Sequence, residues 1–301
     1  MHWAAIALLS AGVSGLISIF DKTVIYRYAG TPLTLPLLAG FAATSMGLVI
    51  TVTVQVPDDA AWEAVGWTLF SGLLFGLGGL LLMRVLYSQE VSRTIPVTQI
   101  SPIFAAFIAL AFLGETISTL QWAGILATVV GAMLLSLRIE RVSSTIFLHR
   151  SFYLLVLSAL IQAIATVIIK VGVDDLPVLL THGLRMLGLG LVLLAFNFRP
   201  RPVRDIQGFV LKRSPALLVV ALNELVIANG GFLLFLWALS EGPVSLVLAL
   251  HSTRALFLVL YSTVLSLVWR GFLGEDTVPA VIALKIGATG LIVVGIVGIV
   301  L

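Results

Sequence analysis

Arg185, Glu224 and Arg254 stand inside runs of Leu, Val, Ala and Gly, where a charge is costly. Near the centre of a membrane helix each costs roughly 2.5 to 3.5 kcal/mol and persists where partners or water compensate it. At 1.5 Å rise per residue, Arg185 lies about 12 Å and Arg254 about 16 Å into their runs from one side, and Glu224 about 14 Å from the other. All three are predicted to meet near the bilayer midplane. Pairing Glu224 with one arginine leaves an excess of about one positive charge, which a substrate anion can neutralise. Arginine suits that task because its planar fork binds carboxylate or phosphate through two parallel hydrogen bonds.

His182 and Arg185, and again His251 and Arg254, are three residues apart, which places each pair on one helix face. The candidate substrate-binding set is therefore Arg185, Glu224, Arg254, His251, His182, Asn223 and Gln162, with Asn229 and Gln99 extending the polar lining. Glu224, the acid nearest the midplane, is the candidate proton-coupling group. The competing reading is a fixed ion network that holds three helices together, with the histidines and amides as interhelical hydrogen-bonding groups.

Other chemistries are excluded. Cysteine is absent, which removes disulfides, zinc-thiolate sites, iron–sulfur clusters and a thiol nucleophile. Four scattered histidines build no metal site. No phosphate-binding Gly-x-x-x-x-Gly-Lys loop occurs, so ATP is not the direct energy source. His251 and Ser252 are adjacent and point apart on a helix, so they form no dyad. The expectation is a protein that is not an enzyme and needs no cofactor or metal. Its partners are a small-molecule substrate, the lipid bilayer and protons as coupling ion; nucleic acid is not among them, and the assembly is a monomer or homodimer.

The elements that must position these groups follow from composition. Of 301 residues 60% are apolar and 10% charged, with mean hydropathy +1.16, too little polar surface to coat a water-facing globule. Runs of about 20 apolar residues cross a bilayer as helices. Ten are visible, over residues 3–20, 32–54, 62–86, 95–113, 120–137, 152–171, 177–198, 215–239, 243–269 and 278–301. They lack the alternation of a barrel strand, so the fold class is an all-α integral membrane protein. Met1 and His2 supply no basic segment, so the first run is expected to be a retained helix.

Phe112-Leu113-Gly114-Glu115-Thr116 recurs as Phe272-Leu273-Gly274-Glu275-Asp276 before the fifth and tenth runs. Lys22 and Lys170 end the first and sixth, and Val91-Ser92 echoes Val244-Ser245. The chain therefore divides into halves of five helices, 1–140 and 149–301. Five is odd, so the second half enters the membrane from the opposite side, an inverted repeat of the kind that lets two halves rock around a shared site.

The segment from Leu86 to Leu135, with Ser101-Pro102, Phe112-Leu113-Gly114-Glu115 and Gln121-Trp122-Ala123-Gly124, resembles the EamA-like domain of the drug/metabolite transporter superfamily. The resemblance implies two such units covering the chain and a secondary carrier of a small metabolite or drug, often working outward, in a bacterial-type cell membrane. The residues add that the cargo is anionic or zwitterionic. The alternative is an accessory or lipid-carrier translocating subunit. In the second half His251-Ser252-Thr253-Arg254 replaces Ser101-Pro102, a departure from the pattern.

Lys22, Arg27, Arg84, Arg93, Arg138, Arg141, Arg150, Arg199, Arg201, Arg204, Lys212, Arg213 and Arg270 fall in connections after odd-numbered runs, whereas Lys170 alone falls after an even one. Positive loops stay cytosolic, so both termini are predicted outside, although relatives of the resembled family tend to keep them inside. Lys285 is expected to snorkel to the surface, and Lys22 and Lys170 to close their helices against the C-terminal dipole. Glu115 and Glu275 are expected to cap helices, the Gly72, Gly76, Gly78 and Gly79 strip to permit close packing, and Pro96 and Pro102 to bend the fourth run.

Overall fold

The computed structural model describes residues 2–27, 31, 33–57, 60–88, 97–136, 150–268 and 279–301. Val91-Ser92, Arg93, Pro96, Arg138, Arg141, Arg270, the Phe272 to Asp276 segment with Glu275, and Asp58 and Asp59 lie outside them, as do the side chains of Lys22, Arg27 and Arg150. The described residues are all-helical and contain no strand. In chain order the helices are α1 (His2–Arg27), α2 (Thr34–Thr53), α3 (Trp62–Ser88), α4 (Ser101–Phe112), α5 (Thr119–Ser136), α6 (Arg150–Asp175), α7 (Val178–Asn197), α8 (Pro200–Leu211) and α9 (Pro215–Ala221). A π-helix, Leu222–Ala228, joins α9 to α10 (Asn229–Glu241), and α11 (Val244–His251), α12 (Arg254–Val268) and α13 (Pro279–Val300) complete the chain.

Seven helices among the described residues are long and apolar enough to cross a membrane. The fourth of the ten sequence runs contains a shorter apolar helix, α4, instead. The fourth is shortened for a local reason. Residues 97 and 98 are helical, a turn at 99 and 100 interrupts them, and α4 restarts with Pro102 in its first turn, where the missing amide proton is harmless. Pro102 thus starts a helix where the sequence suggests a bend within one. The ninth run breaks at the corresponding place, the Ser252-Thr253 turn between α11 and α12. There the Ser252 and Thr253 hydroxyls donate to the Ala249 and Leu250 carbonyls, both at 2.7 Å, competing with the backbone ladder.

Helix pairing repeats across the two halves. α3 packs on α6 and α1 on α10; α4 packs on α6 and α1 on α12; α2 pairs with α7 and α5 with α13. Exchanging the halves maps this pattern onto itself. Two hydrogen bonds obey the same exchange: Ser158 Oγ donates to the Gly78 carbonyl at 2.7 Å, and Ser10 Oγ to the Gly231 carbonyl at 2.9 Å.

The Leu-Gly-Glu motif acquires a structural reason. Gly114 has φ +64, the left-handed conformation that ends α4, and the Glu115 amide closes back on the Ala109 carbonyl at 3.3 Å. Glu115 then caps α11, accepting from the amides of Val244 (2.5 Å) and Ser245 (3.2 Å) and from the Ser245 hydroxyl (2.5 Å). A carboxylate at a helix N-terminus satisfies orphan donors and complements the dipole. Lys170 departs from expectation. It does not close α6, which continues to Asp175; its ammonium donates to the Leu239 carbonyl near the end of α10 (2.8 Å) and pairs with Asp174 (2.8 Å).

Candidate substrate site

Arg185 rides on α7 where that helix crosses α3 most closely. A β-carbon on Gly72 would collide with the Arg185 carbonyl, and one on Gly188 with the Leu69 carbonyl, so the two backbones touch only because both residues are glycine. This contact brings Phe75 of α3 over the guanidinium. Its Cζ lies 4.2 Å from the Phe75 ring centre and 5.7 Å from that of Phe232 on α10, and the two rings meet edge to face at 5.7 Å. Desolvated cation–π contacts are worth about 2 kcal/mol, so the aromatic box offsets part of the cost of a charge that is 1% exposed. It does not satisfy the hydrogen-bonding capacity. Nε and Nη1 have no acceptor among the described residues.

Next to it, three residues back on the same helix, His182 is fully buried. Its Nε2 lies 2.7 Å from Asn229 Oδ1, and the Asn229 amide nitrogen donates to the Glu224 carbonyl at 2.6 Å. Because the amide nitrogen is committed to that carbonyl, Oδ1 is the acceptor and His182 donates through Nε2. Nδ1 is then an acceptor, and it has no donor among the described residues. The Glu224 carbonyl belongs to the π-helix, whose wider turn redirects side chains and recurs at functional sites.

His251 ends α11 at the helix break. Ser10, whose single proton goes to Gly231, lies 3.2 Å from His251 Nδ1, so that nitrogen is the donor. Phe235 covers the imidazole at 4.7 Å between ring centres. Arg254 is the first residue of α12, on the far side of the Ser252-Thr253 turn.

The structure therefore gathers His182, Arg185 and Asn229 between α7 and α10, and sets His251 against the same α10 through Ser10 and Phe235, with Arg254 following across the break. The Glu224–arginine pair expected from the sequence is not formed: neither Arg185 nor Arg254 makes an ion pair with a described residue. The Glu224 carboxylate instead accepts from Asn223 Nδ2 at 3.1 Å, and Asn223 is buried beside it. Gln162 belongs to another contact, donating to Ser158 at 3.3 Å where α6 meets Gly78. Gln99 is buried at the break before α4. The Arg185 guanidinium is enclosed, with the rings of Phe75 and Phe232 against it, and the cavity described below lies elsewhere, at the helix ends. The rings of Phe75 and Phe232, and Ser10, are participants that sequence reasoning missed. The one available signal was Phe75 set between Gly72 and Gly76, which fixes it at a close helix crossing.

Comparison with known proteins agrees with this architecture. A solved crystal structure of another protein superposes with a TM-score of 0.66 over 99% of this chain and 96% of the other at 16% identity, a likeness of fold. An uncharacterized transporter encoded in the cobO 3' region of Sinorhizobium sp. is 28% identical over 138 residues, which are 44% of this chain and 96% of that protein. Uncharacterized protein MJ1333.1 of Methanocaldococcus jannaschii is 26% identical over 132 residues, 44% of this chain and 94% of its own. Less than half of this chain thus matches nearly the whole of each relative. The model of the EamA-like transporter family matches twice, over residues 1–137 and 149–301. With both halves matched, this multi-pass membrane chain belongs to the EamA-like transporter family.

Proposed function

We propose that the protein is a secondary carrier that moves a small anionic or zwitterionic solute, outward, by alternating access. Its architecture in this reading is ten membrane helices in two inverted five-helix repeats, residues 1–140 and 149–301, with both termini outside the cell membrane. The matched serine–glycine bonds and the paired breaks before α4 and α12 support the repeat. Broken helices at the interface of two repeats are where carriers of this general kind build their sites, because helix N-termini there face anionic groups.

The observation that carries the reading is the unsatisfied pair in one buried cluster. Arg185 offers donors without an acceptor, and His182 Nδ1 offers an acceptor without a donor. A solute with a carboxylate or phosphate and a nearby ammonium or hydroxyl answers both. Arg254 and the N-terminus of α12, which it begins, add positive potential at the break that follows His251. Enclosure of Arg185 suits an occluded state, from which rocking of the halves exposes the site to either face. Glu224, held beside Asn223 in the π-turn, is the proton-coupling group.

The test is flux in proteoliposomes containing this protein alone, across radiolabelled amino acids, organic acids, nucleotides and cationic drugs. An anionic or zwitterionic solute should move, and Arg185→Gln should cut that flux about a hundredfold, equivalent to roughly 3 kcal/mol, while any neutral solute changes little. Absence of flux for every solute overturns the carrier reading. Glu224→Gln should abolish the pH dependence of transport; an active variant with unaltered pH dependence removes the proton role. Because the chain has no cysteine, single cysteines placed at either end report orientation through impermeant thiol reagents.

A further inference from the structure

At the α7–α8 corner, away from the Arg185 cluster, a cavity of about 160 Å³ opens among the ends of three helices. Its walls are Leu33 and Pro36 at the start of α2, Leu80 and Met83 near the end of α3, and Phe196 at the end of α7. Arg84 and Arg199 stand at the same cavity, and both are exposed to the surroundings. Chain order fixes its depth: α2 begins here while α3 and α7 finish, so the cavity lies at one membrane boundary.

The chain leaves this cavity directly into α8. Pro202, Ile206 and Phe209 recur at helical spacing and are its buried and half-buried side, while Arg201, Arg204 and Gln207 are exposed. Asp205 ties the helix to the start of α2, accepting from the Thr34 hydroxyl at 2.7 Å and the Thr31 hydroxyl at 3.3 Å. Val210 and Leu211 are 57% and 84% exposed, and exposed Lys212 and Arg213 follow. A short amphipathic helix with exposed apolar side chains between cations lies in the lipid interface. Arg84, Arg199, Arg201, Arg204, Lys212 and Arg213 give this corner six exposed cations, and the carboxylate of Asp205, the acid of α8, is taken up by threonines.

We infer that this corner binds the headgroup of an anionic phospholipid, with the phosphate between Arg84 and Arg199 and the glycerol end against Leu33, Met83 and Phe196. Size agrees, since 160 Å³ is below the ~300 Å³ at which ordinary solute pockets begin and suits a headgroup whose tails remain in the bilayer. Basic pockets between membrane helices at the headgroup level hold anionic lipids by this combination of charge and an apolar floor. The inference is independent of the carrier reading, because it concerns neither Arg185 nor flux.

Purified full-length protein in detergent should be titrated with phosphatidylglycerol, with phosphatidylcholine and with inorganic phosphate, reading bound lipid by native mass spectrometry and stability by thermal shift. Phosphatidylglycerol should be retained and raise the melting temperature, and the other two should not. Arg84→Gln with Arg199→Gln should weaken retention at least tenfold. Met83→Trp, which fills the cavity and keeps both charges, should weaken it as well, and Arg201→Gln with Arg204→Gln should weaken it less. Equal effects of phosphatidylcholine, or an equal shift from inorganic phosphate, overturn the inference. So does undiminished phosphatidylglycerol retention in a folded cavity-filled or Arg84/Arg199 variant.

Discussion

Helix α3 and the helix running from Pro215 to Glu241 carry matching hydrogen bonds, each accepting a serine hydroxyl at a glycine carbonyl, Gly78 and Gly231. Beyond that bond they differ. α3 is α-helical throughout and spends Gly72 on close contact with α7. Its counterpart widens into the π-turn at Leu222–Ala228, holds Asn223, Glu224 and Asn229 there, and leaves Leu225 and Val226 exposed to 39% and 61%. One copy has become a packing surface and the other a carrier of polar groups. The lesson is that two helices in corresponding places can share the hydrogen bond that positions them while polar groups gather on one of them.

The largest expected effect breaks the packing copy. Gly72→Ala places a methyl against the Arg185 carbonyl, a backbone atom that cannot yield, and should destabilise by about 3 kcal/mol, the upper part of the overpacking range. Gly230→Ala, whose added carbon meets nothing within 4 Å, should be neutral or stabilise by up to about 1 kcal/mol. Thermal unfolding of both variants in one detergent decides the contrast, and equal melting temperatures would refute it.

A smaller effect is expected in the polar copy. Asn229→Ala removes the acceptor of His182 and the donor to the Glu224 carbonyl and should cost about 2 kcal/mol. Asn229→Asp keeps the acceptor for His182 but sets a buried carboxylate oxygen against the Glu224 carbonyl, and should lose at least as much. If both variants unfold like the parent, the π-turn is held by something other than this side chain.

The smallest effect sharpens the equivalence itself. Ser158→Ala removes the bond to Gly78 and the acceptor of Gln162 and should cost about 0.6 kcal/mol, the average for polar contacts between membrane helices. Ser10→Ala also strips His251 of its acceptor and should cost about 1 kcal/mol. A cost for Ser158→Ala greater than that for Ser10→Ala would reverse the assignment of chemistry to the second half.

How far the site was legible depended on the kind of signal. Arg185, Arg254 and Glu224 announced themselves because a charge within a membrane-length apolar run has few tolerable explanations. Their partners did not. A phenylalanine among leucines gives no sign of standing over a guanidinium, so Phe75 and Phe232 became visible only through the α3–α7 crossing. The expected Glu224–arginine pair rested on charge arithmetic and depth along each helix. Depth says nothing about azimuth, and the π-turn sets the azimuth of Glu224. The break at Ser252-Thr253 carried no glycine or proline, so periodicity ran straight through it.

The sequence by itself determined an all-helical membrane chain with a repeated Leu-Gly-Glu motif and charges too deep to be incidental, because hydropathy, run length and motif spacing are one-dimensional properties. Tertiary structure alone decided that His182 meets Asn229 beside Arg185, that Glu115 caps a helix 129 residues away, and that Arg185 is boxed by rings rather than paired with an acid. These follow from helix crossings and rotations, and those depend on which small residues let two backbones approach.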